Sequence, residues 1–150
     1  MILAEELDVD WKNVVVEQAD FYPERFDRQF TGGSQGIRQG WKPLRTVGAT
    51  ARQMLIGAAA QTWNVPASEI TTEASMLHHK ASGKKAGYGE MASLAAGQPV
   101  PKEVSLKEIA DFKVIGNSKK NVDGKNIATG KPMFGMDYTQ EGMLIAMIAH

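Results

Sequence analysis

Hydrophobic positions along this chain form one long helical stripe and several short runs of strand texture, divided by glycine and proline. From Ile37, apolar or small residues recur at Trp41, Leu44, Gly48, Ala51, Leu55 and Ala58, every three or four positions along one face of an α-helix. The spacing predicts a helix that starts from the Thr31–Gly36 turn, is kinked or interrupted in its first turns by Pro43 and is stopped by Asn64-Val-Pro66. Gly48, Gly57 and Ala58–Ala60 keep its surface low enough for a close neighbour. Met1–Leu7 is amphipathic and predicts a first helix, and the β-branched residues in Lys12–Gln18 predict a strand. Residues 19–36 show no period. With Pro23, two aromatics at 21–22 and three glycines, they read as a long ordered loop of the functional kind.

Further on, Ile70–His79 predicts a strand, Ala81-Ser-Gly83 a turn, and the residues up to Tyr88 a second strand of a hairpin. Gly89–Ala96 predicts a short helix closed by Gly97. Pro99 and Pro101 mark a linker, and the texture changes at Asp111, so the expected division is 1–98, a linker at 99–110, and 111–150. Asn121–Gly130 is a polar loop; Lys131–Tyr138 and Gly142–His150 have the apolar, extended texture of strands. The first helix has no residue before it to cap it and the last strand stops without a turn, so both ends read as internal to a longer protein. The fold class is α/β or α+β.

Composition narrows the chemistry. One hundred and fifty residues make one domain or parts of two, and 43% hydrophobic with 23% charged residues is a globular balance. Net charge is zero, so no bulk attraction to nucleic acid or anionic lipid follows. Cysteine is absent, which excludes disulfides, thiol catalysis and cysteine-held iron–sulfur clusters within these residues. No run of eighteen apolar residues exists.

Two features carry candidate binding chemistry. Gly32 and Gly33 let the backbone take positive φ and let a ligand approach, and Ser34 stands at the N-cap of the long helix. Free N–H groups and the positive end of the dipole then point the same way, although a tight turn into a buried helix has the same signature. Arg38, Arg45 and Arg52 recur every seven residues at the edge of the apolar stripe. Such a row either forks onto a phosphate or carboxylate or covers apolar surface with its stems. Other motifs fail. His78 and His79 are neighbours, so on a strand they face opposite sides and cannot share a metal. Ser82-Gly83-Lys84 and Gly87-Tyr88-Gly89 lack a full nucleotide-loop spacing, and Asp123-Gly124 lacks the carboxylates of a calcium loop. No Ser/His/Asp grouping can be placed by spacing, and no catalytic residue or metal ligand can be named.

Three stretches, in order, resemble the molybdenum-binding large subunits of the xanthine dehydrogenase/aldehyde oxidase family, most nearly the isoquinoline 1-oxidoreductase β-subunit branch. Met1–Glu17 is similar to the family's helix and strand after its Gly-Gln-Gly segment. Phe30-Thr-Gly-Gly-Ser34 with Ile37–Arg45 is similar to the loop and helix along the pterin. Val122-Asp123, Thr129-Gly-Lys131, Phe134-Gly-Met-Asp137 and Gly142-Met-Leu144 resemble the opening of an α/β hammerhead domain. The resemblance implies part of a cofactor-binding domain followed by the start of the hammerhead domain. It implies a parent that hydroxylates N-heterocycles or aldehydes with a molybdopterin cytosine dinucleotide. Electrons would pass to 2Fe-2S clusters in a small partner subunit, in the periplasm or the cytoplasm. It assigns Gly32, Gly33, Ser34, Gln35, Gly36 and Arg38 to the cofactor. Gln35-Gly36 departs from the further serines usual there. The family's Gly-Gln-Gly segment and catalytic glutamate have no counterpart here. The reading from another class is a non-enzymatic binding or assembly module built on a degenerate copy of the domain.

Overall fold

The computed structural model describes residues 1–26 and 29–149; the far end of the expected last strand, His150, lies outside them. Two compact units are present, Met1–Asn117 and Ser118–His150.

The first unit is built on α2, Gln35–Trp63, which runs through Pro43 without interruption. Asn64 ends it in the left-handed region at φ 55°, donating its N–H to the carbonyl of Ala60, a conformation asparagine tolerates better than most residues. Gly48, Ala49, Leu55, Ala58 and Ala59 form its buried face. The stripe continues toward the N-terminus in sequence but not in cover: Ile37 and Leu44 are exposed.

α1, Ile2–Leu7, lies against α2 at Gly48. A Cβ at that position would stand 2.7 Å from the carbonyl oxygen of Leu3 and 2.9 Å from Cβ of Glu6, so glycine alone lets these backbones meet. On another side, Leu55, Ala58 and Ala59 join Ile70, Leu77 and Ala86 from the sheet and Met91 and Ala95 from α3, Tyr88–Ala96, in one core. Glu90 reaches back to the N–H of Gly87 at 2.7 Å and closes the start of α3.

The sheet has three antiparallel strands in the order β1 (Ile70–Glu73), β2 (Met76–His79), β3 (Lys84–Gly87). Ile70–His79 is therefore a hairpin and not the single strand that its composition suggests. Ala74 (φ 46°) and Ser75 (φ 68°) both take left-handed conformations, as a two-residue hairpin turn of the primed kind requires. These residue types gave no sign of it; tertiary bonds hold the turn. Ser75 donates its N–H to the carbonyl of Asp8 at 2.9 Å, and its own carbonyl accepts from the N–H of Tyr88 at 2.9 Å.

Three carboxylates on and beside α1 are buried: Glu5, Glu6 and Asp8. Glu5 accepts the consecutive backbone N–H groups of Lys113, Val114 and Ile115 at 2.6–3.1 Å. Glu6 accepts Nε of Arg45 at 2.6 Å and the N–H of Lys107, with Arg52 at 3.7 Å. Asp8 accepts Thr72 Oγ1 at 2.8 Å and Lys107 Nζ at 3.0 Å. Residues that read as linker and as the start of a second domain are thus tied to the first helix, and the compact unit extends to Asn117.

Lys12–Gln18 does not form a strand: a 3-10 turn occupies Trp11–Asn13, and no described segment pairs with the extended residues after it. In the second unit, the expected strands at 131–138 and 142–149 also lack a partner among the described residues. A short helix, α4 (Gly124–Ala128), and a 3-10 turn at Gly135–Asp137 are its elements. Leu144, Ile145, Met147 and Ile148 are exposed. β-Branched and apolar texture specifies a strand only where a neighbouring strand supplies the ladder. The described architecture is α+β, mixed helix with a small antiparallel sheet.

Substituting Gly48 by Ala should destabilise the first unit by about 1–3 kcal/mol, the usual cost of overpacking, read by urea unfolding. Acid should act through the carboxylates. Burial pushes Glu5 upward, but the N–H groups of Lys113, Ile115 and Val114 and the charge of Lys107 outweigh it and hold Glu5 below its ordinary 4.5. For Asp8, burial is outweighed by hydrogen bonds from Lys107 and Thr72 and by the charges of Lys107 and Lys113, leaving it below 3.8. The unfolded chain then binds protons first, so this stability is present above pH 4.5 and lost as pH falls through the lower native values. Alkali acts oppositely. Burial and Asp8 push Tyr88 up to about 12 from 10.0 against the pull of Thr72 and Arg52, so stability falls once pH exceeds 10. A pH series of unfolding midpoints checks both limbs.

Candidate functional site

The glycine turn and the exposed start of α2 form the candidate site. Gly33 (φ 58°) and Ser34 (φ 54°) both lie in the left-handed region, reversing the chain into the helix. Ser34 is the N-cap residue, yet its side chain makes no capping bond. The N–H of Gln35 instead donates to the carbonyl of Gly32 at 3.3 Å, so a backbone turn and not a hydroxyl closes the start of the helix. Beside them Phe30, Gln35, Gly36, Gln39, Gly40, Pro43 and Leu44 line an open groove of about 590 Å³.

The three glycines differ in their surroundings. A Cβ on Gly32 would stand 2.6 Å from the tip of the exposed Phe30 ring, which would have to swing aside. Gly33 is needed for its positive φ. Gly36 is helical and faces open space, with no protein atom within 4 Å of a built Cβ. Only Gly36 leaves room for something that is not this chain. Gln35 accepts from Gln39 Nε2 at 2.9 Å across one helical turn, fixing one wall of the groove.

The arginine row divides. Arg45 and Arg52 turn onto Glu6, and the Arg45 guanidinium also lies 5.3 Å from the Trp41 ring centroid and 5.2 Å from that of Phe112. Each meets a carboxylate of the same chain through one nitrogen and not as a fork, Arg45 by a hydrogen bond and Arg52 as an ion pair. Arg38 is exposed, one turn from the groove. Of the assigned residues, Gln35 and Gly36 line the groove, Gly32, Gly33 and Ser34 form the turn beside it, and Arg38 stands outside. Spacing missed Gln39, Gly40, Pro43 and Leu44, although Gln35, Gln39 and Pro43 follow the four-residue spacing of one helix face. His78 and His79 do face opposite sides of the sheet; His79 is buried and is no surface residue. No group of three metal-ligating side chains occurs among the described residues, and no helix among them is long and apolar enough to cross a membrane.

Comparison with known proteins gives the class first: the chain is similar to oxidoreductases, as its three stretches imply. In particular, it is 28% identical to isoquinoline 1-oxidoreductase subunit beta of Brevundimonas diminuta, across 97% of this chain and 24% of that protein. It is also 28% identical to a membrane-bound aldehyde dehydrogenase (pyrroloquinoline-quinone) of Gluconacetobacter polyoxogenes, across 95% of this chain and 19% of that protein. The chain spans about a quarter or less of the length of these relatives. The first is by name one subunit of an oxidoreductase. No family model matches the chain.

Gly36 allows the site's two demands to be separated. Gly36→Ala should leave the unfolding midpoint equal to or above that of the parent chain, because alanine is the better helix former and its Cβ meets nothing. Gly33→Ala should lower stability by about 1–2 kcal/mol through left-handed strain. Thermal unfolding of the two variants reads both signs.

Proposed function

We propose that this chain is part of the cofactor-binding large subunit of a molybdenum hydroxylase acting on N-heterocycles or aldehydes, and that the α2 groove holds part of the pterin cofactor. The observation carrying the reading is Gly36: a glycine opening onto the groove at the start of a 29-residue helix whose N-cap makes no side-chain bond. Residues 1–98 would belong to the cofactor domain, 99–110 to its connection and 111–150 to the start of the hammerhead domain, whose first residues, up to Asn117, fold with the first compact unit. The similarity to two named oxidoreductases over nearly the whole chain supports the class.

The residues fit such a group. Gln35 and Gly36 would border it, the N–H groups of Gly36 and Ile37 would donate to a phosphate or pterin oxygen, and Arg38 would meet a phosphate at the rim. When bound, the group would supply two-electron oxidation of a substrate carbon with oxygen from water. This chain's part is to bind and orient. Gln35 is steadied by Gln39, and Arg45 and Arg52 hold α2 on α1, so the groove is formed before the ligand arrives and little ordering remains to oppose binding. The family resemblance implies an iron–sulfur small subunit as the electron acceptor.

In the complete large subunit, Gly36→Leu should fold normally yet lose most of its molybdenum and pterin, measured by metal and pterin analysis of the purified protein. Full molybdenum occupancy would remove the groove from the site. Finding a quinone cofactor and no molybdenum in the parent would replace this reading with the chemistry named for the second relative.

A further inference from the structure

Away from the groove, three side chains converge at the far end of the hairpin. Glu69 ends the 3-10 turn before β1, His79 is the last residue of β2, and Ser82 sits in the 80–83 turn. His79 Nε2 lies 2.8 Å from Glu69 Oε2, and its Nδ1 lies 2.7 Å from Ser82 Oγ. The ring is 4% exposed while Ser82 faces solvent. An ionised carboxylate only accepts, so Nε2 carries the proton toward Glu69. In the neutral ring Nδ1 is then the acceptor, and the Ser82 hydroxyl donates to it. A hydroxyl held on a buried imidazole, itself oriented by a carboxylate, is the arrangement that activates a serine nucleophile.

We propose that Ser82 is a nucleophilic hydroxyl that accepts acyl groups from small activated esters. Ser82 Oγ attacks the ester carbonyl carbon while its proton passes to His79 Nδ1. The tetrahedral adduct collapses, the carbon–oxygen bond to the leaving group breaks, and His79 returns the proton to the departing alcohol or phenol. Water, deprotonated by the same nitrogen, then attacks the acyl carbon and frees the acid, restoring the Ser82 hydroxyl. Ser82 and His79 carry the chemistry, and Glu69 is a positioning residue. Ser82 is exposed on a turn and lines none of the described pockets, so the donor class is restricted to small, reactive esters that need no binding pocket.

The test treats the full chain with p-nitrophenyl acetate, follows p-nitrophenolate release, and locates the acetyl group by peptide mass analysis. The expected result is acetylation at Ser82, abolished in Ser82→Ala, with a rate falling at least ~100-fold in His79→Gln, the lower end of what a positioned base supplies. Glu69 is half-exposed, so Glu69→Gln keeps the decision open if His79→Gln fails to fold. That variant should slow acetylation several-fold at an unchanged unfolding midpoint. The ring nitrogen chemical shifts of His79 should show Nε2 protonated in the parent and lose that preference in the variant. Acetylation confined to lysines, or Ser82 reacting no faster than Ser34 or in Glu69→Gln, would overturn the proposal and leave the three residues as a hairpin clasp.

Discussion

Glu5 is the residue on which the first unit depends. Its carboxylate is buried and meets three successive backbone N–H groups, so a segment with no regular structure of its own is held where those groups converge. Removing the acceptor would strand the buried amide of Val114, at about 1–3 kcal/mol, and leave the part-buried amides of Lys113 and Ile115 to find other partners. Glu6 and Asp8 extend the arrangement to α2 and the sheet through Arg45, Arg52, Lys107 and Thr72. No buried side-chain polar atom among the described residues is left without a partner. Such a network adds less net stability than its number of bonds suggests, because desolvation opposes it, but breaking one member is costly. It therefore sets which segments lie together more than it sets how tightly.

That arrangement links the fold to the candidate site. Gly48 lets α1 approach, and Glu6 then grips Arg45 and Arg52, fixing α2 over its middle turns. The ten or so residues before them extend beyond α1 with Ile37 and Leu44 exposed, and it is there that the glycine turn and the groove lie. An anchored middle and an open start suit a helix that presents its N-terminus to a ligand. The same geometry explains why only one of three equally spaced arginines remains outside the internal network.

The helices were legible in the sequence because their signals are local. The three-to-four residue stripe marked α2, and Gly48 announced a close neighbour. The β1–β2 turn was not legible, since Ala74 and Ser75 are held left-handed by bonds to Asp8 and Tyr88, distant in sequence. Val15, Val16 and the apolar residues at 143–148 misled in the opposite direction: their texture suits a strand, but no described segment provides the pairing. At the site, Gly32 and Gly33 stood out as a pair, yet Gly33 is required by its positive φ and Gly32 lies beside the Phe30 ring, while Gly36 opens onto the groove. The grouping of Glu69, His79 and Ser82 could not be read from spacing, because register and a turn bring it together.

Hydrogen exchange of the Lys113, Val114 and Ile115 amides tests the role of Glu5 most directly. At neutral pH these three should exchange as slowly as the amides of Leu55 and Ala58 in the core of α2, through opening of the whole unit. In Glu5→Ala they should lose that protection before the sheet does. Exchange of all three in the parent chain at the rate of the open residues of the second unit would contradict the account, and would leave α1 held by its contact at Gly48 and the bonds of Glu6 and Asp8.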